Sequence, residues 1–154
     1  MNLDNLIADT ADQYKLPVKL VKAIVKVESG GNPWAIRYEP GFYTRYVAGK
    51  RYKTFPGCSY NTEGKMRACS FGLMQIMGQV ARELGFDQLF LTELCNPATG
   101  LDWGCRKLAQ QVERYDSDLE SAIAAYNAGS AKRNATGVWQ NQEYVDKVRK
   151  AGGL

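Results

Sequence analysis

Leu20-Val21-Lys22-Ala23-Ile24-Val25-Lys26-Val27-Glu28-Ser29-Gly30-Gly31-Asn32-Pro33 decides how this chain is read. Leu20, Val21, Ile24 and Val25 recur at helical spacing, and the same face then presents Glu28. A carboxylate stands where Leu or Val is expected. Gly30, Gly31 and Pro33 stop the helix at once, so Glu28 sits at its C-terminal end. Burial and the negative end of the helix dipole both disfavour ionisation, which suits a general acid. The plainer alternative is a Glu fraying from a helix end or paired to an Arg.

Working outward, the pattern predicts an all-α, mainly helical chain folded as one domain over residues 1–154. Asn2 caps a first helix through about Tyr14, and Pro17 opens a second over 17–29. Leu73, Ile76, Met77, Val80 and Leu84 predict a helix over 72–84, ended by Gly85. Asn96-Pro97 opens another to about Tyr115, with Leu101, Cys105, Leu108 and Val112 in register. Ser117-Asp118-Leu119-Glu120 reads as a capping box for a helix through Asn127, with Gly129 as its C-cap. A last helix covers 141–150. Between Trp34 and Tyr60 lie eight aromatic residues in a stretch without helical period. A short helix at 40–46 or a hairpin near Lys50–Thr54 is expected there, as a small irregular or β-hairpin insertion at about 40–65.

Composition narrows the chemistry. There is no histidine among 154 residues, which removes Ser-His-Asp and Cys-His catalysis and His-ligated metal. Carboxylates remain as the acid/base groups. Cys58, Cys69, Cys95 and Cys105 form no C-x-x-C pair, so no metal and no cofactor is expected; two local disulfides and four free thiols both fit the spacing. A net charge of +4 favours an anionic partner, but no compact Lys/Arg tract points to nucleic acid. No run reaches the roughly 18–20 apolar residues that span a bilayer. Met1-Asn2-Leu3-Asp4-Asn5-Leu6 has no basic start and no long apolar run, and does not read as a signal peptide.

Four segments gain meaning together: Glu28-Ser29-Gly30-Gly31-Asn32-Pro33, Ser70-Phe71-Gly72-Leu73-Met74-Gln75-Ile76-Met77, Ala125-Tyr126-Asn127-Ala128-Gly129, and Tyr144-Val145. In this order they resemble the soluble lytic transglycosylase domain, the SLT-like family or glycoside hydrolase family 23, which shares a fold core with goose-type lysozymes. The resemblance implies a lysozyme-like fold and cleavage of peptidoglycan glycan strands between N-acetylmuramic acid and N-acetylglucosamine, leaving 1,6-anhydromuramoyl ends. It implies Glu28 as the catalytic acid and then base. Ser29, Gln75, Met77, Tyr126, Asn127 and Tyr144 match positions lining the sugar groove. Each also has a plain structural reading: turn former, core residue or helix end. A monomer without stable membrane insertion is expected, and the absence of a leader suggests a phage endolysin or virion enzyme made in the host cytoplasm and acting on the cell wall, with a bacterial periplasmic enzyme lacking its leader as the alternative.

The family's spacer between the first two segments is short; here residues 34–69 intervene. That stretch contains Arg37-Tyr38-Glu39-Pro40, similar to one in phage-type relatives. Glu39 is the candidate second carboxylate. With its carboxyl group roughly 6.5–9.5 Å from that of Glu28 and a water held on the far face of C1, it would make the enzyme an inverting muramidase. Its alternative is an ion pair with Arg37 or Arg45. A silent wall-binding or virion structural domain is the third reading.

Overall fold

Asn2 accepts a hydrogen bond from the Asp4 N–H at 2.8 Å, and helix α1 (Leu3–Gln13) begins there, as the cap residue predicts. The computed structural model describes residues 2–154. Its chain forms two compact units: residues up to Gly30 together with Gly104–Leu154, and Gly31–Trp103.

The first unit is helical. Helix α2 (Val18–Ser29) buries Leu20, Val21, Ile24 and Val25 and stops at Gly30, whose φ of 62° is the left-handed turn that glycine adopts without steric cost. Helices α7 (Leu119–Ala128) and α8 (Gln142–Lys150) pack on each other, and α8 packs on α2. Ile123, Val145 and Val148 are fully buried in that packing. The long helix α6 (Pro97–Arg114), which belongs to this unit from Gly104 on, opens under the Asn96 side chain, which accepts from Ala98 and Thr99 N–H. The predicted capping box does not form. Ser117 lies at a φ of 68°, outside the extended range a cap needs, so Asp118 is the N-cap.

The second unit corrects two expectations. Residues 50–54 form no strand. The sheet is built instead from β1 (Ile36–Tyr38), β2 (Cys69–Phe71) and β3 (Ile76–Met77), antiparallel in that order, with Ile36 opposite Phe71 and Phe71 opposite Ile76. The expected helix over 72–84 shrinks to α5 (Gly78–Glu83), because residues 69–77 make a β-hairpin whose turn holds Gly72 at a φ of 72° and Gln75 at 48°. A side chain at Gly72 would also meet the Leu94 carbonyl. The helix foreseen at 40–46 is present as α3 (Pro40–Phe42) running into a π-turn over Tyr43–Val47. Phe71, Ile76, Ala81, Phe86, Leu91 and Leu94 form this unit's core.

Helix α4 (Tyr60–Arg67) has no counterpart in the sequence expectations. Ser59 caps it, accepting from the Thr62 N–H. Its inward face is charged: Glu63 is fully buried and meets Arg67 Nε at 3.1 Å and Arg82 Nε at 2.8 Å. Arg67 also donates to the Lys53 carbonyl and Arg82 to the Phe86 and Gln88 carbonyls. One carboxylate and two guanidiniums thereby tie three loop positions to helices α4 and α5, satisfying buried charge with charge and hydrogen bonds. All four cysteines are free thiols.

Candidate active site

Glu28 occupies the last turn of α2, half-buried, one residue before the helix ends. Tyr144, at the first turn of α8, donates its hydroxyl to Glu28 Oε1 at 2.6 Å. The two residues are 116 positions apart in sequence and meet because α8 packs on α2. A phenol–carboxylate bond of this length is charge-assisted and holds the carboxylate in one orientation. Burial, then the Glu28 charge and this hydrogen bond, then Tyr126, push the Tyr144 phenol far above its ordinary range. Tyr144 therefore remains a donor at any working pH.

Tyr126 lies near the end of α7 and is 2% exposed. Its phenol is also driven well up, by burial first, then by the charge of Glu28 and by Cys105. Behind it stands Lys107 from α6, a residue the sequence reasoning did not single out. Lys107 Nζ donates to the Tyr126 carbonyl at 2.7 Å and lies 4.1 Å from the centre of the Tyr126 ring. Burial pulls its amine down to about 8, against the opposing pull of the Glu28 charge. The sequence did carry a signal: Gly100, Gly104, Lys107 and Gln111 share a second face of α6 at helical spacing, and the glycines and Gln111 are buried. A lysine among glycines on a buried face is out of place unless it has a partner.

Asn127 and Ser29 make hydrogen bonds at the ends of α7 and α2. Asn127 Oδ1 accepts from Asn141 Nδ2 at 2.9 Å, and Asn141 Nδ2 also donates to the Ala124 backbone carbonyl, which links the end of α7 to the start of α8. Ser29 Oγ donates back to the Val25 carbonyl at 3.2 Å, within its own helix end.

In the second unit, Gln75 is heavily bonded. Its Oε1 accepts from Ser70 Oγ at 2.8 Å, and its Nε2 donates to the Ala35 and Gly72 carbonyls at 2.9 and 3.0 Å. Both amide hydrogens are spent, and one lone pair remains for other donors. Gln75 thus holds the β2–β3 turn against the approach to β1. Met77 lies half-buried on β3 instead of on a helix. Glu39 pairs with Arg37 Nε at 2.7 Å, the ion-pair alternative foreseen for it.

The chain is similar in sequence and fold to known proteins. The family model of the transglycosylase SLT domain matches residues 5–148, spanning both units. A protein named transglycosylase from Enterobacteria phage PRD1 is 27% identical over 140 residues, covering 90% of this chain and 38% of the phage protein. A membrane-bound lytic murein transglycosylase E from Buchnera aphidicola is 56% identical over 34 residues, 22% of this chain and 15% of that protein. The chain thus spans well under half the length of these relatives. Among solved structures, an inactive mutant of the lytic transglycosylase Slt from Pseudomonas aeruginosa superposes with a TM-score of 0.58 at 17% identity, covering 97% of this chain and 22% of that one. At that identity the likeness speaks to the fold.

Proposed function

The chain belongs to the transglycosylase SLT domain family, and on that premise we propose that it is a peptidoglycan lytic transglycosylase with Glu28 as its catalytic residue. The observation that carries this reading is the Tyr144–Glu28 hydrogen bond, which fixes a half-buried carboxyl group at a helix end beside Tyr126. In the proposed reaction, protonated Glu28 gives its proton to the glycosidic oxygen between N-acetylmuramic acid and N-acetylglucosamine, and the C1–O bond breaks. The Glu28 carboxylate then takes the proton of the muramoyl C6 hydroxyl. That oxygen bonds to C1, giving a 1,6-anhydromuramoyl end and restoring the acid. No water is consumed, so one carboxyl group suffices and the two-carboxylate arrangement is not required.

Glu39 then serves as the Arg37 ion-pair partner and not as a water-holding base. Gln75 and Met77 act as framework or lining on the second unit's hairpin. The substrate is the glycan strand; nucleic acid is not a partner, and the protein works as a monomer and as one catalytic domain. No helix among the described residues is long and apolar enough to cross a membrane. Action on the cell wall of a phage host is consistent with the phage relative.

Glu28→Gln is isosteric and keeps a hydrogen-bond acceptor for Tyr144 while removing the transferable proton. It should cut dye release from purified murein by at least a hundredfold, with unchanged circular dichroism. Dye release near the wild-type rate by the folded variant would remove Glu28 from the mechanism.

A further inference from the structure

Lys107 Nζ meets a neutral carbonyl and the face of an aromatic ring, both belonging to Tyr126. Neither matches its charge. The opposite charge acting on it is that of Glu28, on α2. The other titratable groups acting within this cluster are the Tyr126 phenol from α7, the Tyr144 phenol from α8 and the Cys105 thiol from α6. Both phenols are held neutral by burial and by the same carboxylate. Lys107 and Glu28 thus carry opposite charges within this cluster.

We propose that Lys107 is a positioning residue of the Glu28 site: it fixes Tyr126 through backbone and ring, and its ammonium stabilises the Glu28 carboxylate that exists between the acid step and the base step. This rests on the proposed transglycosylase reading. The chemistry calls for such a group. A half-buried carboxylate left behind by proton donation lacks full hydration, and a fixed cation offsets that loss. The Tyr144 hydroxyl supplies a hydrogen bond to Oε1 but no charge.

The sign of the effect is testable. The acid step needs protonated Glu28, so the rate falls as pH rises through the ionisation of Glu28. A neighbouring ammonium favours the carboxylate and holds that alkaline limb at lower pH. In Lys107→Met the limb of the kcat/KM profile on murein should move up by about one pH unit. The two profiles should converge above about pH 8, where wild-type Lys107 has lost its charge. Lys107→Arg, which stays charged, should return the limb to or below its wild-type position. A Lys107→Met enzyme that is slower but keeps the wild-type limb would overturn the proposal, since a mere prop for Tyr126 predicts that outcome.

A second measurement needs neither that variant nor turnover. By NMR the Lys107 amine should titrate near 8 in the wild type and lower in Glu28→Gln, because the carboxylate that favours its charged form is gone. An unmoved titration would refute the coupling. Failure of the wild type to cleave murein would instead sink the transglycosylase reading, while leaving this coupling readable.

Discussion

At Glu28, the Tyr144 hydroxyl donates to Oε1 from the first turn of α8. Tyr144→Phe removes the 2.6 Å bond and nothing else of size. Hydrogen bonds to charged groups contribute about 1.5–3 kcal/mol, so kcat/KM should fall by about ten- to a hundredfold. The alkaline limb of the pH–rate profile should also move up, because the lost donor favoured the carboxylate. A profile of unchanged shape and height would mean that the bond is idle in catalysis. Lys107 gives a stability test at the same scale. Its amine is lowered in the fold from 10.5 to about 8. Between those values the unfolded chain keeps a proton that the folded chain has released, so folding is favoured as pH rises across that window; below it the penalty is present in full. Measured against wild type, the melting temperature of Lys107→Met should therefore be relatively highest below pH 8 and lose a few degrees of that standing by pH 10.5. A difference that stays flat across the window would show that the amine is not held back by burial.

The elements divide by whether their buried faces are apolar. Helices α1, α2, α6 and α8 bury Leu, Ile and Val at helical spacing and carry recognisable caps or breakers, so periodicity found them. Helix α4 escaped because its inward residues are Glu63, Gly64 and Arg67, which read as a solvated face. The part of the hairpin from residue 72 to 77 reads as helix because Leu73, Ile76, Met77 and Val80 happen to fall on helical spacing. Only the positive φ at Gly72 and Gln75, invisible in a hydropathy pattern, shows otherwise. The charged core of the second unit has a measurable consequence. Glu63→Ala leaves Arg67 and Arg82 buried without their carboxylate and should cost about 3–5 kcal/mol in urea unfolding. Glu39→Ala breaks only an ion pair whose Arg37 side chain is 73% exposed, and should cost under about 1 kcal/mol. It should also leave murein cleavage at the wild-type level. Equal costs for the two substitutions would contradict the packing described for α4.

At the scale of the molecule, fold and site were legible to different depths. Helical class and the α2 terminus followed from local pattern, which also singled out Glu28 without deciding its role. The meeting of Glu28 with Tyr144, 116 residues away, was legible only as an ordered set of short segments matching a family; no spacing rule predicts it. Lys107 was missed because a lone lysine on a helix reads as solvent-facing until its neighbours are seen to be buried. The central claim is that one carboxyl group, assisted by Tyr144, breaks the glycan strand with the substrate's own hydroxyl as nucleophile. Mass spectrometry of the muropeptides released from purified murein tests it most directly. The account predicts chain ends one water lighter than hydrolysis would give, formed by wild-type and Glu39→Ala enzyme alike and not by Glu28→Gln. Hydrolytic ends alone would contradict it.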